Sequence, residues 1–261
     1  MGIVNATNLK KVYGKFQAVD DISFDIEQVE VFGFLGPNGA GKTPTINMMI
    51  GLSRPTGGRI IIDGIDAIKD IKQVQSIIGV IPDENNLYDE MDGFDNLCFC
   101  ASLYGMRKGE RQKRAMELLE QFNLINAGNR SFKTYSKGMK RKLTIAAGII
   151  HNPKILFLDE PTTGIDVESA RQIRELILNL KKQGKTIFIT THYIEDAERI
   201  CDRIAFIVKR VALSPILQLL DNKGILVYEA KEIKPSLEDV FVKITGIEAS
   251  KLKKEKVGMQ K

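Results

Sequence analysis

The stretch Gly36-Pro37-Asn38-Gly39-Ala40-Gly41-Lys42-Thr43 constrains this chain more than any other. It matches the pattern G-x-x-x-x-G-K-[ST], a loop whose backbone amides cradle phosphates. Its flanks agree. Val31-Phe32-Gly33-Phe34-Leu35 is a short apolar run suited to a buried strand, and Ile46, Met49 and Ile50 then recur at helical spacing. Gly36, Gly39 and Gly41 let the N–H groups turn inward around a polyphosphate with no Cβ in the way. The helix start adds partial positive charge and Lys42 a full one, while the Thr43 hydroxyl is placed for the Mg²⁺ that accompanies a nucleotide. A glycine-rich turn that binds nothing is the alternative, but strand, loop, Lys-Thr pair and helix point together to a nucleoside triphosphate.

The 261 residues suffice for a large core and suit one α/β domain with a subdomain, or two small domains. No apolar run approaches the roughly 18–20 residues that cross a bilayer, and no signal-peptide core opens the chain. A cytosolic chain, held at a membrane only by a partner, is the expectation. Cys98, Cys100 and Cys201 lack zinc spacing, and their odd number argues against a disulfide framework, so they read as reduced thiols. The formal charge of +5 is modest and lies partly in the stretch Lys251 to Lys256, a solvated terminus rather than a surface for lipid or nucleic acid.

Strands broken by turns fill the chain up to about Asp66, among them Arg59-Ile60-Ile61-Ile62 ending in an Asp63-Gly64 hairpin turn. Ile77 to Ile81 predicts another strand. From about Asp95 to Ile150 the pattern is helical, with Met116, Leu119 and Phe122 on one face of one helix and Leu143, Ala146, Ala147 and Ile150 on another. Strand and helix then alternate: Ile155–Leu158, a helix carrying Ile173, Leu176, Ile177 and Leu180, and Thr186–Ile189. That order predicts a parallel sheet with crossover helices, split by a helical insertion.

Two carboxylates, Asp159 and Glu160, end the strand Ile155–Leu158. One can hold Mg²⁺, directly or through water, and the second can deprotonate the water that attacks a γ-phosphate. Two solvated loop acids are the plain alternative, which the specific string of apolar residues, acids and Pro161 argues against. Upstream, Ser136 and Gly138 stand at a helix start. Ser136 is a ready N-cap, and the same geometry presents a hydroxyl and amides to an anion. The residues alone leave both readings open.

Taken together, these motifs resemble the ATP-binding subunits of ABC transporters, from about Ile3 to Gly246. The resemblance implies an α/β fold: a P-loop NTPase core with a mostly parallel sheet, an N-terminal antiparallel β part and an inserted helical subdomain. It implies one domain over 1–246, with nucleotide core 1–94 and 151–212, helical subdomain 95–150, C-terminal element 213–246 and basic tail 247–261. ATP and Mg²⁺ would be the cofactors, bound by the loop from Gly36 to Thr43 with Pro44 following. Asp159 would hold the metal with Thr43, and Glu160 would be the catalytic base, assisted by Lys42. Ser136 and Gly138 match the signature that contacts the γ-phosphate of the opposite subunit. Tyr13 matches the aromatic residue that stacks on adenine, Asp166 the loop acid that communicates across the dimer, and His192 the histidine that bonds the γ-phosphate. A lone histidine after a strand is more often structural; His151 has no such context and reads as a helix-end residue.

Several positions depart from the family pattern. Pro44 replaces a Thr or Ser whose N–H and hydroxyl contact the α-phosphate, though a first helical turn tolerates proline. Asp83 stands for a glutamine that helps ligate Mg²⁺ and feels the membrane partner; a carboxylate can bind metal but adds negative charge. Lys137 and Met139 alter the signature, Val29 replaces a common turn glycine, and the stretch Lys209 to Leu217 is short.

The segment Pro235 to Phe241, with Ser236 as cap and Leu237, Val240, Phe241 and Ile244 as an apolar stripe, resembles the C-terminal element of ATPases serving drug, antibiotic, polysaccharide or lipid exporters. The implied partners are a second ATPase subunit, identical or not, and a membrane-spanning permease at the cytoplasmic face of the membrane. The permease would dock near Asp83 to Phe94, where Leu87, Tyr88, Met91 and Phe94 are apolar, although these could equally be core. Alternatives are an ATP-gated dimerising module with little hydrolysis, suggested by Pro44 and Asp83, or a soluble ATPase acting on nucleic acid or ribosomes. Relatives of the last kind carry a long coiled-coil insertion or two such domains, and neither is seen, so no nucleic acid is expected.

Overall fold

The computed structural model describes residues 2–84 and 86–207. The expectations for Lys209 to Leu217, for Pro235 to Phe241 and for the basic tail lie outside them.

Two sheets organise the described residues. The first is antiparallel, with β1 (Val4–Tyr13), β2 (Phe16–Ile26), β4 (Gly57–Ile62) and β5 (Ile65–Asp66) in the order β2-β1-β4-β5. The β4–β5 turn carries Asp63 at φ 50° and Gly64 at φ 79°, as a primed hairpin turn requires. The second sheet is parallel, with β3 (Val31–Leu35), β6 (Ile78–Ile81), β7 (Ile155–Asp159), β8 (Thr186–Thr191) and β9 (Arg203–Phe206) in the order β6-β7-β8-β3-β9. β3, β7 and β8 are buried along their whole length, so their sequences read as continuous runs rather than alternating ones.

Phenylalanines join the two sheets. Phe24 of β2 lies 5.7 Å from Phe32, 5.5 Å from Phe34 and 6.0 Å from Phe188, ring centre to ring centre, and Phe157 lies 5.7 Å from Phe188. Each such pair adds about 0.5–1.5 kcal/mol beyond its buried area. This cluster fixes β2, and with it the edge of the antiparallel sheet, beside the loop that follows β3.

The insertion is helical: α3 (Gly93–Leu103), α4 (Lys108–Gln121) and α5 (Lys137–Gly148). Leu143, Ala146, Ala147 and Ile150 are buried as expected. The α4 stripe needs correction. Met116 is 47% exposed, and Ala115, Leu118 and Leu119 face the core with Phe122. A spacing of three alone drifts off a helix face, whereas i, i+3, i+4, i+7 stays on it. Ile77 also differs from its expected place: it ends α2 (Ile71–Ile77), and the strand begins at Ile78. α1 (Lys42–Met49), α6 (Val167–Lys182) and α7 (Ile194–Ile200) complete the set. On α6, Ile173, Ile177 and Leu180 are buried and Leu176 is half-buried.

Val29 sits in the β2–β3 turn at φ 58°, a left-handed conformation strained for a β-branched side chain. His151 is inside the fold, its ring stacked 3.6 Å from Tyr104 and its Nε2 2.9 Å from the Ile78 carbonyl oxygen. Burial pushes its pKa down, so it offers no positive charge to the helix end.

Candidate nucleotide site

β3, β7 and β8 run parallel, so the residues following each strand meet at one edge of the sheet, where open α/β sheets bind ligands. β3 delivers the loop Gly36–Thr43, β7 delivers Asp159 and Glu160, and β8 delivers His192. Gly41 caps α1 at φ 108°, and a Cβ there would meet the Ala18 carbonyl oxygen at 2.6 Å. Both facts demand glycine, and the second follows from β2 lying against the loop. Pro44 costs the helix nothing in hydrogen bonds, because the first bond of α1 runs from Thr45 N–H to Gly41 C=O at 3.0 Å.

These elements enclose a cavity of about 390 Å³ lined by Phe16, Ala18, Asn38, Gly39, Gly41, Lys42, Thr43, Pro44, Asp83, Asp159, Glu160, Thr163 and His192. That volume lies within the range of small-molecule sites. Lys42, only 5% exposed, donates to the carbonyls of Gly36 at 2.7 Å and Pro37 at 3.3 Å. Its Nζ also lies 3.1 Å from Glu160 Oε1. Nδ1 of His192 is 2.6 Å from Glu160 Oε2, and the Thr163 hydroxyl donates to the same oxygen at 2.9 Å. Burial alone would raise the Glu160 carboxyl. The His192 hydrogen bond and charge, the Lys42 ammonium and Thr163 together pull it down to about 2. The backbone of Glu160 is itself left-handed, at φ 48°, a conformation its neighbours must hold.

Thr43 Oγ1 donates to Asp159 Oδ2 at 3.1 Å. On the other side, Thr190 of β8 donates its hydroxyl to Asp159 Oδ1 and accepts the Glu160 N–H at 3.1 Å. Thr190 thus orients both acids, a role no sequence pattern announced. Among the described residues no three His, Cys, Asp or Glu side chains are grouped for a metal. Thr43 and Asp159 do form a hard oxygen pair of the kind Mg²⁺ takes when phosphate and water complete its shell.

Asp83, just beyond the C-terminal end of β6, also lines the cavity. Burial raises its pKa, Arg141 opposes that, and Glu160 and Asp159 reinforce it. Arg141 was not foreseen. Only 4% exposed on α5, it donates to the carbonyl oxygens of Pro82 at 2.6 Å and Asp83 at 2.5 Å, with Asp83 Oδ1 at 3.5 Å. In sequence it is one cation among several in a basic stretch; only its burial distinguishes it.

Seven expected residues stand outside the cavity lining: Gly36, Pro37 and Ala40 within the loop itself, and Tyr13, Ser136, Gly138 and Asp166. Ser136 is exposed and caps α5, accepting from Met139 N–H at 3.2 Å. Asp166 is likewise exposed and caps α6, accepting from Ser169 N–H at 2.8 Å, a bond that lowers its pKa. A Cβ on Gly138 would lie 2.2 Å from Ser169 Oγ, so the first turns of α5 and α6 abut. Of the apolar residues near Asp83, Leu87 and Phe94 pack on the core. Tyr88 is 56% exposed, edge-on to Phe99 at 5.2 Å.

A sequence profile described as "ABC transporter" matches residues 19–163. The linearmycin resistance ATP-binding protein LnrL of Bacillus subtilis is 42% identical over 205 residues, 78% of this chain and 66% of LnrL. The doxorubicin resistance ATP-binding protein DrrA of Mycobacterium tuberculosis is 39% identical over 245 residues, 92% of this chain and 70% of DrrA. The chain thus spans about two thirds of the length of these relatives. Among solved structures, the ATP-binding cassette MJ0796, a dimer bound to ADP and Pi in a post-hydrolysis state, superposes with TM-score 0.72 at 27% identity, covering 79% of this chain and 97% of the cassette. An ATP-binding subunit of an ABC transporter gives TM-score 0.74 at 26% identity, covering 93% and 99%.

Proposed function

The chain belongs to the ABC transporter family, and from that membership we propose that it hydrolyses ATP to power an exporter through a separate membrane-spanning permease. The observation that carries the reading is the convergence of Lys42, Glu160 and His192 on one cavity floored by the phosphate loop. The phosphates of ATP lie along the amides of Gly39 to Lys42, with Lys42 on the β- and γ-phosphates, Asn38 and Pro44 lining the wall, and the carbonyls of Gly36 and Pro37 holding the Lys42 ammonium. The γ-phosphate competes for Lys42 and His192 and draws both side chains away from Glu160. A carboxylate held near 2 is a weak base; released, it recovers the basicity to accept a proton from water. That water attacks the γ-phosphorus, the bond to the bridging oxygen breaks, and ADP and phosphate leave. Thr43 and Asp159, with Asp83 at the margin, would hold a Mg²⁺ that neutralises phosphate charge when bound.

Ser136, Gly138 and Asp166 lie away from this cavity, which suits a role at the nucleotide of a second subunit. Two copies closing head to tail with twofold symmetry would bury two ATP molecules. The names of LnrL and DrrA favour a drug or antibiotic as cargo, and the proposed permease would hold the chain at the cytoplasmic face of the membrane. A slow ATP-gated clamp is the second reading, favoured by Pro44 and the Asp83 carboxylate in the cavity wall. Steady-state phosphate release by the purified chain, with and without its co-expressed permease, tests both. Turnover that rises with the permease supports the exporter, whereas ATP-dependent dimers that never release phosphate support the clamp.

A further inference from the structure

Resting on the hydrolytic reading above, we propose that Asp196 is a positioning residue for Glu160: through Thr162 it pins the turn that follows the proposed base. Glu160-Pro161-Thr162-Thr163 is closed as a turn by the Thr163 N–H, which donates to the Glu160 carbonyl oxygen at 3.1 Å. Thr163 adds a second bond from its hydroxyl to Glu160 Oε2 at 2.9 Å, so the turn grips the carboxylate from which it starts. Neither bond fixes the turn against the rest of the fold. Thr162 does so: it is buried, and its hydroxyl donates to Asp196 Oδ2. Asp196, on the first turn of α7, is 1% exposed, and Arg174 of α6 donates to its other oxygen, Oδ1, at 2.7 Å.

An acid in a first helical turn has an ordinary role, complementing the helix dipole at a solvated end. Asp196 does more than that. A carboxylate shut away from water is costly unless paired, and this one meets a guanidinium from α6 and a hydroxyl from the turn after β7. Glu160 gives that arrangement a use. Its left-handed backbone, at φ 48°, is one that a residue with a side chain leaves unless held. Thr190 holds the Glu160 N–H on one side, and the turn anchored at Asp196 holds the other. Asp196 also follows His192 by four residues, so one anchor serves the segments carrying both groups. When the γ-phosphate draws Lys42 and His192 away, the Thr163 hydroxyl stays on Glu160, and the anchored turn keeps the carboxylate aimed.

Steady-state phosphate release by the full chain, expressed per ATP-binding site counted by calorimetry, tests this. Asp196→Ala would strand the buried Arg174 charge, so Thr162→Val is the cleaner variant: it keeps the shape and deletes the bond to Asp196. Its kcat should fall at least about fivefold, because a small misplacement of a base is amplified in rate, while its affinity for ATP stays within about twofold. Thr162→Ser keeps the hydroxyl and should stay within about twofold of the wild type. In a Glu160→Gln background, Thr162→Val should add no more than about a twofold loss, since it acts through the carboxylate already removed. The proposal is overturned by a smaller loss in Thr162→Val, by an equal loss of ATP affinity, or by a serine variant as slow as the valine one. A full further loss in the Glu160→Gln background, as a purely structural bond would give, overturns it as well. A wild type that releases no phosphate would instead remove the hydrolytic reading, and this proposal with it.

Discussion

Lys42 Nζ and Glu160 Oε1 stand 3.1 Å apart, with both side chains almost wholly buried. The group expected to hold phosphate and the group expected to activate water thus neutralise each other before any nucleotide arrives. A buried charge left alone is costly, so each stabilises the other. In the proposed mechanism the nucleotide would take both partners from Glu160, and the loss of their support would raise its basicity.

Glu160→Gln removes the base but keeps its shape. ATP binding should be retained and somewhat tighter, since Lys42 no longer leaves a carboxylate. Phosphate release should fall at least about 100-fold. Size-exclusion chromatography with ATP should show a stabilised dimer, and hydrolysis at the wild-type rate would remove Glu160 from the role of base.

The hydrogen bonds and charges around Glu160, with His192 first and Lys42 after it, make an acid-stability prediction. Glu160 is held at about 2 against an ordinary 4.5, so the folded state keeps a charge that the unfolded chain neutralises. Its stabilisation is complete above the ordinary value and is lost as the pH falls toward the lowered one. The excess melting temperature of the wild type over Glu160→Gln should be constant near neutrality and shrink below roughly pH 5. A gap unchanged down to roughly pH 2.5 would contradict the pairing.

Ser136→Arg should leave monomeric ATP binding intact and abolish ATP-induced dimerisation. Because Ser136 also caps α5, losing it costs about 1 kcal/mol of stability. Ser136→Asp keeps the cap yet sets a negative charge toward the proposed neighbouring phosphate, and should block dimerisation equally. A Ser136→Asp protein that dimerises normally would confine Ser136 to capping.

Pro44→Thr should return one amide and one hydroxyl to the proposed α-phosphate position. Such charge-assisted bonds contribute about 1.5–3 kcal/mol, and the lost rigidity of proline offsets part of that. About tenfold tighter ATP binding is expected, with a similar gain for ADP, by titration calorimetry. Equal or weaker binding would mean the loop has adapted to proline.

Val29→Gly should stabilise the fold. The left-handed conformation costs a side-chain-bearing residue about 1–2 kcal/mol, while glycine's extra freedom when unfolded returns about 0.5–1. Val29 is 44% exposed, so little packing is lost. Urea denaturation should show a gain of about 0.5–1 kcal/mol; a loss would show that the valine side chain packs better than its exposure implies.

Much of this architecture could be read from residue order. The loop and the apolar runs of β3, β7 and β8 carry local signals strong enough to place Lys42, Asp159, Glu160 and His192 at one sheet edge. α2 and α7, two turns each, are too short for periodicity to declare them. α3 was hidden as a separate helix because its capping Asp92 follows an irregular stretch. Thr190 and Arg141 were invisible for another reason. Their contacts depend on what lies beside them in space, and a threonine in a strand and a cation in a basic run each have ordinary local explanations.

Arg141 has a mechanical consequence. It grips the peptide of Pro82 and Asp83 from a helix whose first turn carries Ser136, five residues away and so about 7.5 Å along a stiff rod. A shift of that peptide, whether started by phosphate chemistry or by a docked protein, cannot be absorbed locally, because the buried guanidinium would lose its bonds. The rod must follow. The peptide beside the cavity and the capped start of α5 are therefore coupled through one buried side chain, Arg141.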